Sequence, residues 1–235
     1  MASKTNDDLN STVNNSKSVN ISVARDTNIG HTSNKKDIND DQTVNKNTID
    51  NKPDDNSLLV FYSNVDQLMN KRTELQSYIT KNNPDIIQLT EVLPKRINPK
   101  NKVDIEQEFN LQGYNMFYNE NPKRGTIIYI NENLDFCYLK PKVQSTLLED
   151  VWCTGIVNSK KVLLGCVYRS PNQSNKAEST QELINTLNLI EFSKFDMVLI
   201  MGDFNYPDLK WNNPNEMDIH SLESKFLNCT EELFL

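Results

Sequence analysis

The sequence has few of the residues that build zinc sites or disulfide frameworks. Its 235 residues include two histidines, His31 and His220, which lie far apart along the chain, so no histidine cluster indicates zinc. No pair of cysteines has the C-x-x-C spacing of a metal or redox motif. The four cysteines are Cys137, Cys153, Cys166 and Cys229. We therefore predict buried free thiols in preference to a metal site or a disulfide framework.

The chain also lacks a recognisable leader and a membrane-length apolar run. Its first residues, Met1 to Asn6, have no apolar core of the kind that defines a signal peptide. No hydrophobic stretch approaches the length needed to cross a bilayer. We expect an intracellular protein without a membrane partner, and the sequence gives no basis for inferring an obligate protein partner.

An excess of positive charge is missing too. The chain carries 25 basic and 32 acidic residues, a formal net charge of −7. This balance argues against a protein that holds nucleic acid by bulk positive charge, because neutralising phosphates needs clustered lysine and arginine. It does not argue against an enzyme that meets a phosphodiester through a bound divalent cation, which would be the largest charge in its site.

Hydrophobic residues make up 37% of the chain and are unevenly distributed. Residues 1–56 contain no aromatic residue and are dominated by Asn, Asp, Ser, Thr and Lys. Such a segment cannot bury enough apolar surface to offset the entropy of ordering it. We predict a disordered tail over 1–56, with a short structured interaction motif as the alternative, and a single domain over 57–235.

The beginning of this domain has the pattern of an α/β unit. Residues 57–62 are rich in strand formers, 67–81 place apolar residues at helical spacing, and 85–89 form a second apolar run. Strand, helix, strand most simply gives two parallel strands.

The pattern of predicted elements changes in the rest of the domain. Four short strand-like runs follow, and residues 158–161 between the last two indicate a hairpin, so we expect a mixed sheet or two packed sheets. The sequence then predicts a helix over 180–190, a strand over 196–201 and a final core-facing helical stripe from Leu222 to Leu233. The four runs are 126–130, 136–139, 151–157 and 162–167.

Polar residues stand where four of these strands end. If the carboxyl ends lie together, one rim of the sheet gathers carboxylates, amides, a phenol and a guanidinium, which is where ligands of α/β sheets commonly bind. The residues are Asn64, Asp66, Glu91, Tyr168, Arg169, Asp203 and Asn205. Each has a structural alternative: Asp66 as a helix cap, Glu91 as a solvated acid, Asp203 and Asn205 as turn formers, Tyr168 as a packing residue.

This set of residue types suits phosphate chemistry. Asp66 and Glu91 would give oxygen ligands to a hard cation, with Mg²⁺ expected and Mn²⁺ as an alternative. Asp203 would take a proton from an attacking water and Asn64 would orient Asp203. Asn205 and Tyr168 would donate to the phosphoryl oxygens as charge develops there.

Together the motifs resemble the endonuclease/exonuclease/phosphatase superfamily of Mg²⁺-dependent phosphodiesterases. Residues 64–66 resemble its Asn and metal-binding Asp, Thr90-Glu91 its metal-binding Glu, and residues 202–205 its Gly-Asp-x-Asn motif. Residues 168–172 are similar to its Tyr-x-Pro-Asn segment with one residue inserted, which implies substrate contacts from Arg169 and Asn172. The amino-acid sequences of residues 89–95, 167–172 and 201–207 resemble the endonuclease domain of non-LTR retrotransposons, the kind fused to reverse transcriptase.

The resemblance implies a two-sheet α/β sandwich, DNA as the partner and a nuclear location that gives access to genomic DNA. The family pattern continues into further strands with another Asp or Asn and a Ser-Asp-His motif, whereas this sequence ends at Leu235 before them. We therefore expect a sandwich without its last strands. The resemblance implies a metal-dependent DNA endonuclease, which in the parent element would make the nick that primes reverse transcription. A catalytically inactive, truncated remnant of such a domain is the alternative.

Overall fold

Two mixed β-sheets form the framework of the protein. The computed structural model describes residues 57–95, 104–119, 123–139, 148–171 and 174–234, together with the backbone of Val19–Val23. The strands in chain order are β1 (Val19–Val23), β2 (Val60–Asn64), β3 (Ile86–Thr90), β4 (Tyr114–Tyr118), β5 (Thr126–Asn131), β6 (Phe136–Tyr138), β7 (Leu148–Val157), β8 (Lys160–Arg169) and β9 (Met197–Asp203). The α-helices are α1 (Arg72–Asn82), α2 (Ile105–Phe109), α3 (Lys176–Leu189) and α4 (Leu222–Phe234), and short 3₁₀ turns cover Leu68–Lys71, Phe192–Lys194 and Pro214–Glu216.

The strand orders show how each sheet is wound. The four-stranded sheet has the order β2-β3-β5-β4, with β2 parallel to β3 and the other pairs antiparallel. The five-stranded sheet has the order β1-β9-β8-β7-β6, with β9 parallel to both of its neighbours. The remaining pairs in that sheet are antiparallel. The parallel β2–β3 pair predicted from the sequence is confirmed.

Successive side chains of the central strands point to opposite faces of each sheet, and both faces are largely apolar. The two sheets therefore pack face to face. Along β3, Ile86 points toward the other sheet, whereas Ile87 and Leu89 point toward the layer that contains α1. The inner layer between the sheets consists of buried aliphatic and thiol side chains, among them Ile86, Ile128, Ile130, Leu164 and Cys166. Helices α3 and α4 cover the outer face of the five-stranded sheet through Leu183, Leu187 and Phe226. This is the predicted two-sheet α/β sandwich.

The predicted hairpin between β7 and β8 is confirmed, and it turns through Asn158 and Ser159, whose φ angles of 49° and 62° match a two-residue turn between antiparallel strands. Other details differ from the sequence-based expectations. The short α2 and the strand β4 were not predicted. Three cysteines are buried and free as expected, but Cys137 is exposed, because β6 is an edge strand with only Phe136 fully turned inward.

The tail contains one described segment. Val19–Val23 pairs in parallel with β9, with Val19 opposite Val198 and Val23 opposite Gly202. For these five residues the structure replaces the predicted disorder with an edge strand, and the alternation of Val19, Ile21 and Val23 has the period of a strand. The rest of the tail lies outside the described residues, so its disorder stays a prediction. Within the described ranges, no helix is both long and apolar enough to cross a membrane.

We expect Gly165→Ala to destabilise the protein by about 1–3 kcal/mol, as overpacking of a core does. Gly165 pairs with Trp152 across β7 and β8, and a Cβ at this glycine would lie 2.3 Å from Cζ3 of the Trp152 ring. Urea unfolding measures the effect. In a Trp152→Leu background the same change should cost much less, and an equal cost in both backgrounds would contradict this explanation.

Candidate active site

One rim of the sandwich collects polar side chains from both sheets. The parallel strands β2, β3, β8 and β9 end there, so Asn64, Glu91, Arg169 and Asp203 meet at this edge. The antiparallel strands run the other way, so their first residues reach the same rim. Thr126 opens β5 opposite Thr90, and Leu148 opens β7 opposite Arg169.

Asn64 connects the two sheets at this rim. Its Nδ2 donates a hydrogen bond to Oδ2 of Asp203 at 3.0 Å, joining the end of β2 to the end of β9. Its Oδ1 accepts a hydrogen bond from the backbone N–H of Asp66 at 3.2 Å. Oδ1 of Asp203 accepts from the backbone N–H of Asn205 at 3.2 Å. The Asp203 carboxylate therefore has a fixed orientation, as a base at a reaction centre requires.

Asp66 and Glu91 lie on either side of the Arg124 guanidinium. One Nη of Arg124 donates to Oδ1 of Asp66 at 2.7 Å and also contacts Oε2 of Glu91. Lys95 adds a second cation 3.6 Å from Oδ2 of Asp66. The hydrogen bond from Arg124 lowers the pKa of Asp66 below its usual value. The Asp66 carboxylate therefore stays ionised to a lower pH and is available as an oxygen ligand.

Glu149 holds Arg124 in place through the backbone. Its carboxylate, at the start of β7, accepts hydrogen bonds from the consecutive backbone N–H groups of Lys123, Arg124 and Gly125 at 2.6–3.0 Å. Gly125 has a φ of 82°, and a Cβ there would lie 2.4 Å from Cγ2 of Val92, so the turn needs glycine. Neither Arg124 nor Glu149 was predicted as a site residue.

Tyr168 lies at the end of β8 beside Glu91. Its side chain is buried, and burial together with the Glu91 charge raises the pKa of the phenol well above its ordinary value. The phenol is therefore protonated over the physiological range and serves as a hydrogen-bond donor.

Arg169 is buried at the end of β8, and its role in substrate binding stays a prediction. Its side chain is 2% exposed. Nε donates to the carbonyl of Phe204 at 2.7 Å and Nη2 to that of Asn205 at 2.8 Å, while Nη1 lies 3.2 Å from Oγ of Ser179. The guanidinium also stacks 3.9 Å from the centre of the Tyr206 ring. Its donors are used inside the protein, so Arg169 shapes the turn after β9 and does not reach the surface.

Two further asparagines, Asn205 and Asn172, were predicted as site residues, and the structure describes only Asn205. The side-chain Nδ2 of Asn205 donates to the carbonyl of Arg169 at 2.6 Å, so this carboxamide closes the turn and has one further N–H for a ligand. Asn172 lies outside the described residues, and its role in substrate binding stays a prediction.

Backbone strain is concentrated in the same place. Asp66, Glu91 and Asn205 have φ angles of 36°, 56° and 51°, a region that non-glycine residues seldom occupy. The strain at Glu91 is the most informative, because a glutamate gains little locally in this conformation. Conformations of this kind persist where surrounding contacts hold them, and they cluster at functional sites.

The donor set at the rim fits a hard cation in its chemistry. Asp66 and Glu91 are two carboxylates from adjacent strands, the number that Mg²⁺ usually takes from a protein. The part of the chain that the structure describes has no group of three His, Cys, Asp or Glu side chains that could hold a metal. Among the described residues, Asp66 and Glu91 are therefore the candidate ligands, and water or substrate oxygens would complete the coordination of a metal.

Solved structures with a similar fold come from DNA-processing proteins. The chain is similar to the endonuclease domain of TRAS1, a telomere-specific non-LTR retrotransposon, with a TM-score of 0.52, 14% identity and coverage of 75% of this chain and 71% of that one. Weaker similarity is found to humanised D. rerio TDP2, with a TM-score of 0.47, 19% identity and coverage of 64% and 63%. A 3′ phosphatase, NExo from Neisseria bound to product DNA hairpin, gives a TM-score of 0.46, 16% identity and coverage of 75% and 71%.

These similarities concern the fold. The chain spans less than two thirds of the D. rerio TDP2 chain it matches. No protein-family model and no curated protein matches the sequence. The likeness to the TRAS1 domain confirms the two-sheet sandwich that the motifs implied.

We expect Arg169→Gln to lower the free energy of unfolding by about 2–4 kcal/mol, because it leaves the buried carbonyl of Phe204 and the partly buried carbonyl of Asn205 without donors. Urea unfolding gives the value. Arg72→Gln is the control, since Arg72 is an exposed arginine that also donates to a backbone carbonyl, that of Glu108. Unchanged stability with weakened DNA binding in Arg169→Gln would instead support the substrate-binding role.

Glu149→Gln should cost about 1–3 kcal/mol of stability, because the amide has one acceptor oxygen for three converging N–H groups and no charge. Thermal unfolding compared with Glu132→Gln, the same change at an exposed position, measures this. Equal melting temperatures in the two variants would show that the backbone turn at 123–125 does not depend on the carboxylate.

Proposed function

We propose that this chain, which has the endonuclease/exonuclease/phosphatase fold, is a divalent-metal-dependent phosphodiesterase that cleaves DNA in the manner of a retrotransposon endonuclease. The observation that carries the proposal is the hydrogen bond between Asn64 and Asp203. It brings a candidate base from one sheet to the edge of the other, beside the carboxylate pair of Asp66 and Glu91.

Asp203 is the proposed base. Oδ2 of its carboxylate accepts from the Asn64 side chain and Oδ1 accepts from the Asn205 backbone. These two donors hold the carboxylate in one orientation, and the carboxylate would take the proton of a water molecule as the water attacks phosphorus. Asn64 also accepts from the Asp66 backbone, so it fixes the base relative to the carboxylate pair.

Tyr168 and Asn205 are the proposed donors to the phosphate. Tyr168 has a protonated phenol beside Glu91, and Asn205 has one side-chain N–H beyond the bond to Arg169. Hydrogen bonds from such fixed donors gain strength as negative charge develops on the phosphoryl oxygens. Arg169 contributes indirectly, because it holds the turn that positions Asn205.

Asp66 and Glu91 are the proposed metal ligands. A bound Mg²⁺, or Mn²⁺, would neutralise charge on a phosphate oxygen next to them. The net negative charge of the chain agrees with a substrate that binds at the site itself and not over a broad basic surface.

DNA is the proposed substrate, and a nuclear location is part of the same proposal. The support is the fold shared with the TRAS1 endonuclease domain and the motif wording that resembles non-LTR retrotransposon endonucleases. In a retrotransposon-like protein, the expected product is a nick with an end from which reverse transcription starts.

The test is nicking of supercoiled plasmid by the full chain with Mg²⁺. Asp203→Asn should slow the reaction by about 10²–10⁴-fold, the usual contribution of a general base. EDTA should stop it. Asp208→Asn, the same change at an exposed position five residues further on, should nick at the wild-type rate.

Two results would overturn the proposal. Asp203→Asn that nicks as fast as wild type would remove the base assignment. A folded chain that does not nick with either Mg²⁺ or Mn²⁺ would leave a catalytically inactive retroelement domain as the explanation of the fold.

A further inference from the structure

Arg124 occupies the position between the two carboxylates that the proposed function assigns to a metal. A single Nη contacts Oδ1 of Asp66 and Oε2 of Glu91, so one guanidinium nitrogen bridges both side chains. The Arg124 side chain is 10% exposed and that of Glu91 13% exposed. The Arg124–Glu91 ion pair is therefore internal, whereas the Asp66 side chain is 58% exposed.

The arginine is held independently of the carboxylates it bridges. Its other terminal nitrogen donates to the carbonyl of Leu93 at 2.7 Å. The backbone carbonyl of Arg124 accepts from the N–H of Leu93 at 2.7 Å, and its own N–H is bound by Glu149. Arg124 therefore stays at the rim whether or not its guanidinium contacts Asp66 and Glu91.

Arg124 takes up one oxygen of each carboxylate, Oδ1 of Asp66 and Oε2 of Glu91. A divalent cation bound by both carboxylates would lie within a few ångströms of the guanidinium, and like charges at that distance repel strongly when water is partly excluded. Full coordination by Asp66 and Glu91 therefore requires the guanidinium to give up at least one of its two contacts.

We propose that Arg124 is an internal competitor for the metal site. It neutralises Asp66 and Glu91 and holds them in place when no metal is bound, and it yields their oxygens to a divalent cation, so it sets the metal affinity of the site. The inference rests on the proposed function, because it takes these two carboxylates as the metal ligands.

Lys95 is an ordinary surface charge near Asp66, and it differs in this from Arg124. Its Nζ lies 3.6 Å from Asp66, but the side chain is 70% exposed and contacts that carboxylate from the solvent side. Exposed ion pairs of this kind contribute little, because solvent screens them and a long side chain must be ordered. The effect of removing Arg124 should therefore exceed that of removing Lys95.

The test measures Mn²⁺ binding to the full chain by the electron paramagnetic resonance signal of free Mn²⁺. Arg124→Gln removes the competing charge and should bind Mn²⁺ about tenfold more tightly than wild type, since an affinity rises when a competing state is removed. Lys123→Gln removes a positive charge from the exposed neighbouring residue and should change the affinity by less than about twofold. An Asp66→Asn/Glu91→Gln pair, added to each background, should abolish the binding and so assign it to this site.

A second measurement on the wild-type chain covers the case in which Arg124→Gln does not fold. The side-chain nitrogen resonances of Arg124 report whether rotation of its guanidinium is hindered. Saturating Mg²⁺ should shift these resonances and speed the rotation, because at least one carboxylate contact is lost. The Arg169 resonances serve as an internal control and should not move.

The outcomes separate the two proposals. Unchanged or weaker Mn²⁺ binding in Arg124→Gln, or Arg124 resonances that ignore Mg²⁺ in a chain that binds it, would overturn the competition while the metal site stands. Wild type and Arg124→Gln that both fail to bind Mn²⁺ would overturn the metal assignment and the competition together. Plasmid nicking that persists in EDTA would overturn the metal-dependent function by a separate route.

Discussion

The site depends on the face-to-face packing of the two sheets. The inner layer of aliphatic and thiol side chains fixes the spacing and direction of the strands, so the ends of β2 and β3 lie beside the ends of β8 and β9. Polar cross-links between the sheets form at that rim, where the strands leave the apolar layer. The bond from Asn64 to Asp203 and the Glu149 carboxylate over the turn at 123–125 both span the two sheets. The geometry of the candidate site is in this sense a consequence of the core packing.

The two arginines at the rim are bound by different kinds of partner. Arg124 is bound by Asp66 and Glu91 on one side and Leu93 on the other, whereas Arg169 is bound by backbone carbonyls of the turn after β9. The first arginine lies between two carboxylates that are the proposed metal ligands, so on that proposal its contacts are open to exchange. The second is surrounded by neutral acceptors and an aromatic ring, so its contacts lie within the fold. The two arginines thus have different roles because their partners differ.

The extent to which the sequence predicted this site follows from strand direction. Asn64, Glu91 and Asp203 were predicted because each follows an apolar strand and parallel strands end at a common edge. Arg124 and Glu149 precede or begin antiparallel strands, and their positions at the rim follow only from the pairing of β5 with β3 and of β7 with β8. A basic residue just before β5, and an acid within the apolar start of β7, were the available signals.

The sequence alone determined the positions of most strands, because hydrophobic periodicity is a local property of the chain. The two-sheet sandwich and the link between the three main motifs were implied by the resemblance of those motifs to a known superfamily. The sequence did not determine the role of Arg169, which follows a strand like the catalytic candidates but turns into the core. Nor did it show that Val19–Val23 would pair with β9, or that a guanidinium would lie between Asp66 and Glu91. Those features were decided by tertiary structure, since burial and the partner of a charge depend on residues distant in sequence that only the packing of the two sheets brings together.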